Sequence, residues 1–162
     1  LTWDRVNLDE AWWHLPDPKN RNPVWLPLSS QAVELLKTRQ RVKGSKFVFT
    51  SWGKAGDIRD PRDTMKNLSE VAGLHLSPHD LRRTGSTLLN EVGFNRDWIE
   101  KCLAHEDGRS SRSIYNKAEY AEQRRHMLQE WANMVDAWID GQTYVPKLMP
   151  DNVVVPVLSA LA

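Results

Sequence analysis

Hydrophobic and polar positions along the chain change period several times, and the changes mark out the elements. Ala11-Trp12-Trp13-His14-Leu15 has the character of a strand, Pro16 to Asn22 that of a turn, and Val24-Trp25-Leu26-Pro27-Leu28 that of the returning strand. The three together predict a β-hairpin with Lys19 and Arg21 near its tip. Ser29 or Ser30 caps a short helix through Ala32, Leu35 and Leu36. Phe47-Val48-Phe49 reads either as a third short strand or as a buried extended segment. Helical spacing returns from Pro61 to Val71, with Met65, Leu68 and Val71 in step.

The next helix has the clearest start. Ser77 and Asp80 stand at capping-box spacing, Pro78 takes the favoured first position, and Leu81, Leu88 and Leu89 are expected to face the core. Gly93 ends that helix, and Asn95 caps one that buries Trp98, Ile99, Cys102 and Leu103. A Gly/Arg/Ser loop leads to a short helical turn at Ser111 to Asn116. A long helix follows from about Glu119 to Ile139, with Leu128, Trp131, Val135 and Trp138 at its period. From Gly141 the chain is punctuated by Pro146, Pro150 and Pro156 and carries Val153-Val154-Val155. This tail is expected either to pack on its own domain or to dock on a neighbouring protomer. The sum is an α+β fold, mainly α, with a small antiparallel β-sheet: a domain over 1–140 and a C-terminal tail over 141–162.

Composition narrows the function. The chain has 162 residues, of which 40% are hydrophobic, enough for one core. Its formal net charge is only +1, so affinity for nucleic acid would have to come from local clusters of cations. One cysteine, Cys102, excludes an internal disulfide and fits a reducing cytoplasm. No apolar run is long enough for a transmembrane helix, and the start does not resemble a signal peptide. His14, His75 and His126 lack zinc-ligand spacing, so no metal is expected. The opening at Leu1, without methionine or an entry element, reads as that of a fragment.

The candidate chemistry lies in one ordered set. His79 and Arg82 are three residues apart and share a helix face close to an N-terminus, where free N–H groups and the helix dipole favour an anion. Arginine can hold phosphate oxygens in a fork, and histidine can move a proton. Taken alone, the pair is more often a capping histidine beside a solvated arginine. His105 follows in Leu103-Ala104-His105, and Tyr115 follows in Ser113-Ile114-Tyr115-Asn116-Lys117. Tyrosine can attack phosphorus, although with a pKa near 10 only about 0.1% is ionised at pH 7, so neighbouring cations and a base must help.

In this order the motifs resemble the C-terminal catalytic domain of tyrosine recombinases, the phage and prophage integrases. Ser77-Pro78-His79-Asp80-Leu81-Arg82-Arg83-Thr84 resembles the family's central motif over its whole length. Leu103-Ala104-His105 resembles its Leu-Gly-His box, with alanine for glycine. The resemblance covers the chain to about Gly141 and implies a fold of the DNA breaking-rejoining type. It also implies site-specific recombination through a 3′-phosphotyrosyl intermediate, with no cofactor, ATP or metal needed to rejoin the strands.

By that resemblance Tyr115 is the nucleophile, Arg82 holds the scissile phosphate, His79 transfers protons and His105 hydrogen-bonds the phosphate. Lys19 takes the place of the hairpin lysine that protonates the leaving oxygen; Arg21 is its alternative, but is too weak an acid for the task. Arg21, Arg83, Arg109 and Arg112 are candidate DNA contacts, while Arg124 and Arg125 either touch phosphates or form a solvated helix face. Tyr120 is a rival nucleophile at the start of the long helix. Implied partners are double-stranded DNA attachment sites and other recombinase protomers, as a tetramer on DNA in a bacterial cytoplasm, with no membrane.

The family's first arginine box precedes the segment that Leu1-Thr2-Trp3-Asp4 resembles and is absent here. Loss of such a transition-state donor commonly costs about 100- to 1,000-fold in rate, so the isolated chain is expected to be weakly active or inactive. Two other readings remain: a type IB topoisomerase, which the short His105-to-Tyr115 spacing disfavours, and a non-catalytic DNA-binding or assembly module.

Overall fold

Trp12, Trp13, His14 and Leu15 do form a strand, and its partners follow from the pairing of its edges. The computed structural model describes residues 1–16, 23–51, 56–58, 60–104 and 119–149. After a 3₁₀ turn at Trp3–Arg5 come three antiparallel strands in sequential order: β1 (Val6–Asn7), β2 (Trp12–Leu15) and β3 (Val24–Pro27). Val6 pairs with Trp13; Trp12, Trp13, His14 and Leu15 pair with Pro27, Leu26, Trp25 and Val24. The expected hairpin is therefore present in its two arms, and the indole of Trp25 stacks on the His14 ring at 4.3 Å.

The third strand is β1, upstream, rather than Phe47-Val48-Phe49. That segment makes a single bridge, Thr2 to Phe47, and buries Val48 while leaving Phe49 exposed. It matches neither alternative in full: the backbone bends at Val48 and Phe49, and only Val48 is buried.

Five α-helices are described: α1 (Ser30–Lys37), α2 (Arg62–Ala72), α3 (Pro78–Glu91), α4 (Arg96–Cys102) and α5 (Ala121–Ile139). Ser29 caps α1 by accepting the Ala32 N–H at 3.2 Å, and Asn95 caps α4 by accepting that of Asp97 at 2.9 Å. Between them, Leu89, Phe94, Trp98, Ile99 and Met127 form the buried core, with Cys102, Leu103, Tyr120, Trp131 and Met149 packed around it. The α+β, mainly helical class is as expected, and among the described residues no helix is long and apolar enough to cross a membrane.

One expectation of facing is corrected. Leu81 is 55% exposed, because the core lies against the second half of α3 while its first turns project beyond it. On α1 the buried positions are Val33 and Leu36, with Leu35 outside. On α2 Met65 is buried, but Leu68 is exposed and Val71 is 89% exposed.

The long helix buries a stripe displaced by one residue from its apolar period. Arg124, Met127, Glu130 and Met134 face inward, while Leu128, Trp131 and Val135 are half-buried and Trp138 is exposed. Burial of two charged side chains displaces the stripe, and an apolar pattern cannot register that. Residues 141–149 lie along α5. The buried Glu130 carboxylate accepts the Lys147 N–H at 2.6 Å and the Tyr144 hydroxyl at 3.0 Å, and His126 Nε2–H donates to the Lys147 carbonyl.

Candidate active site

The start of α3 is built by its own sequence. Ser77 Oγ accepts the Asp80 N–H at 3.2 Å, and the Asp80 carboxylate accepts the Ser77 N–H at 3.0 Å and its hydroxyl at 2.6 Å. Pro78 opens the first turn, where a missing N–H costs nothing. The Ser77 hydroxyl, ahead of its backbone N–H and the charges of Arg83 and His75, holds the Asp80 carboxyl below the ordinary carboxylate range. Upstream, Ser69 Oγ accepts the Leu76 N–H at 2.9 Å and donates to the Met65 carbonyl at 2.7 Å, fixing α2 to the segment that enters α3.

His79 and Arg82 project from this capped turn, and both are exposed. The Arg82 guanidinium donates to the carbonyl of Leu103, at the C-terminal end of α4. That carbonyl is a favourable site for a cation, because the helix dipole and unpaired C=O groups make the end negative. Arg82 thus spans from α3 to the last described residues before His105. Ala104 itself stands at φ +51°, a left-handed position, and its N–H closes the helix on the Lys101 carbonyl at 3.2 Å. Glycine takes that conformation at least cost, which accounts for glycine in the box that Leu103-Ala104-His105 resembles.

The far side of the same gap is anchored too. The Lys101 ammonium on α4 pairs with the Glu119 carboxylate at 3.0 Å, and Arg124 Nε donates to the Glu119 carbonyl at 2.7 Å. Glu119 is four residues after Tyr115, a reach of at most about 14 Å of extended chain. The described chain ends on either side of residues 105–118 therefore stand close together, and Arg82 touches one of them. His105, Arg109, Arg112 and Tyr115 all lie in that stretch, outside the described residues. So do Lys19 and Arg21, in the hairpin connection between Leu15 and Val24.

Several rival assignments are decided by the packing. Arg124 is 1% exposed and donates from Nη1 to the Trp25 carbonyl at 2.8 Å, so it clamps α5 to β3. Arg125 donates to the Glu10 carbonyl at 3.2 Å and lies over the Trp12 ring at 4.4 Å. Neither belongs to a solvated helix face or is free to hold a phosphate; both fasten the long helix to the sheet. Tyr120 stands at φ +49° before α5 with its ring against the core, and the Tyr144 hydroxyl is engaged by Glu130. Cys102 packs in the core as well, and burial pushes its thiol up to about 11, against the smaller opposing influence of Arg124. Sequence alone does not mark the Lys101–Glu119–Arg124 group, because Lys101 is remote in the chain from the other two.

A sequence model of the phage integrase family matches residues 1–122, from the strands through the His79–Arg82 helix to the start of α5. The chain belongs to the phage integrase family.

Its integrase relatives agree. The prophage integrase IntA of Escherichia coli (strain K12) is 36% identical over 152 residues, covering 90% of this chain and 36% of the relative. The prophage integrase IntZ of the same strain is 39% identical over 145 residues, covering 86% of this chain and 35% of IntZ. The integrase of Shigella phage Sf6 is 36% identical over 125 residues, covering 73% and 31%. The chain thus spans about a third of the length of these integrases. Among solved structures, the integrase from mycobacterium phage Brujita has the same fold, with a TM-score of 0.63 at 21% identity over 80% of this chain and 43% of that one. The family expected from the motifs is therefore the family found.

Proposed function

We propose that this chain is the catalytic part of a prophage-type integrase, which cleaves and rejoins duplex DNA at attachment sites through a 3′-phosphotyrosyl intermediate. The observation that carries the reading is the junction where Arg82 meets Leu103, at the mouth of the segment that holds His105 and Tyr115. Membership of the phage integrase family supports it.

In this reading the Tyr115 oxygen attacks the scissile phosphorus, a 5′-hydroxyl strand leaves, and the phosphodiester energy is kept in the tyrosyl bond. Arg82 contributes a bidentate charge to the phosphate oxygens, and the N-terminal turn of α3 adds its dipole. His79 moves a proton, His105 hydrogen-bonds a phosphate oxygen, and Lys19 on the hairpin protonates the leaving oxygen. Arg83, Arg21, Arg109 and Arg112 contact DNA. Partner protomers bring the second duplex, as a tetramer on DNA, in the cytoplasm of a bacterium. The domain ends near residue 140, and the tail beyond it serves docking, in cis or in trans.

The test is a nicked duplex bearing the attachment site, from which cleavage releases a short strand and strands the enzyme on DNA. An N-terminally extended chain should give a denaturant-resistant protein–DNA band that is lost in Tyr115→Phe. DNA binding without a band from the extended chain would remove the catalytic assignment and leave a binding module.

A further inference from the structure

Between Glu34 and Asp57 the sequence holds Lys37, Arg39, Arg41, Lys43, Lys46 and Lys54 and no acidic residue at all. In a chain with a net charge of +1 this is the local excess of cations that polyanion binding needs. Arg39, Arg41, Lys43 and Lys46 are all exposed, and among the described residues none of them stands in an ion pair.

Three of them are also held in place. The Arg41 guanidinium lies over the Trp3 ring at 4.5 Å, Arg39 over Phe49 at 5.3 Å, and the Lys46 ammonium over Phe47 at 5.5 Å. Those rings sit on backbone tied together by the Thr2–Phe47 bridge and by the Trp3 N–H to Lys46 carbonyl bond of 3.0 Å. A stacked guanidinium has already lost part of its freedom, so less entropy is lost when it meets an anion.

Lys43, Gly44, Ser45, Lys46, Phe47 and Gly56 line an open hollow beside these rings. Gly44 stands at φ +82° with open space where a side chain would be, so the backbone itself is approachable there. Ser45 Oγ accepts the Phe47 N–H at 3.2 Å and keeps its own proton to donate. Two ammonium groups and a hydroxyl make a seat for a phosphodiester; none of the described residues that line it is a carboxylate, and Asp4, which feels the charge of Lys46, is not among them.

We infer that the Lys43–Lys46 hollow, flanked by Arg39 and Arg41, binds the sugar-phosphate backbone of duplex DNA, as a grip separate from the His79–Arg82 helix. The inference rests on the DNA-recombinase reading and deepens it. Such a grip positions the duplex without reading its sequence, and each phosphate neutralised adds about 0.9 to the slope of log affinity against log salt.

The experiment measures affinity for a duplex without an attachment site over a range of salt, for the parent chain and Lys43→Gln/Lys46→Gln. Arg62→Gln/Lys66→Gln, on exposed α2, removes the same charge elsewhere. The hollow variant should flatten the slope by about 0.9 for each phosphate it no longer neutralises, while the α2 variant leaves it nearly unchanged. Equal slopes for parent and hollow variant would overturn the inference and leave the recombinase reading standing, as would equal flattening by the α2 variant. A parent chain, and an extended chain, that fail to bind duplex at low salt would overturn both. Inorganic phosphate that competes at millimolar concentration without any duplex binding would show an anion seat that is not for DNA.

Discussion

The guanidinium of Arg82, on α3, is hydrogen-bonded to the backbone carbonyl of Leu103, which ends α4. Twenty-one residues of chain separate the two, and the bond joins the helix that carries His79 to the point where the His105–Tyr115 segment begins. This side chain closes the helix pair, and in the proposed mechanism it also clamps the scissile phosphate.

Arg82→Ala should separate these uses. The exposed hydrogen bond is worth about 1–2 kcal/mol in a melt. Loss of the phosphate clamp should lower covalent adduct formation by at least about 100-fold in the extended chain. Arg82→Lys should recover most of the stability but little of the adduct, because an ammonium lacks the planar fork. An adduct rate within a few-fold of the parent in both variants would remove Arg82 from the site.

Ser77→Ala should cost about 1 kcal/mol of stability by opening the capping box. The pH dependence has a definite sign. The Asp80 carboxyl is depressed in the folded chain mainly by Ser77, so its stabilisation is present above the ordinary carboxylate pKa near 3.8 and is lost as pH falls below it. The gap between parent and Ser77→Ala in a denaturant titration should therefore narrow in acid; a gap that widens would contradict the cap.

Cys102 carries the opposite sign. Its thiol is raised to about 11 by burial, so the folded chain holds the proton more tightly than the unfolded chain. Stability is full below the unfolded thiol pKa, near 9, and declines as pH rises from there to about 11, by up to roughly 3 kcal/mol. Cys102→Ala should lack that decline relative to the parent. At pH 8 the native thiol should react with an alkylating reagent far more slowly than the denatured chain, as mass spectrometry can follow.

Arg124→Met should be strongly destabilising, by about 3 kcal/mol, even though methionine suits an apolar site. The carbonyls of Trp25 and Glu119 each lose a buried donor, and the clamp between α5 and β3 is gone. Arg125→Met removes a half-exposed stacking on Trp12 and should cost under half as much in the same melt.

Ala104→Gly should stabilise the chain by about 1 kcal/mol, because Ala104 stands at φ +51°. The gain should appear in thermal unfolding; a loss of stability would mean that the packing of the alanine methyl is worth more than the relieved strain.

Much of the architecture could be read from local chemistry. The caps at Ser29, Ser77 and Asn95, the stop at Gly93 and the hairpin arms at Trp12–Leu15 and Val24–Pro27 depend on residues within a few positions of one another. So does the pairing of His79 with Arg82 on one helical turn, which makes the family legible. What needed the tertiary structure joins distant residues: Arg82 to Leu103, Lys101 to Glu119, Arg124 to Trp25. Arg124 and Glu130 show the reason most plainly. Sequence pattern assigns charged residues to water, because burying a lone charge is costly. Only the fold shows that a carbonyl from β3, a carbonyl before α5 and the backbone of the tail stand ready to receive those charges. Their burial displaces the inward stripe of α5 by one residue and decides how helix, sheet and tail meet.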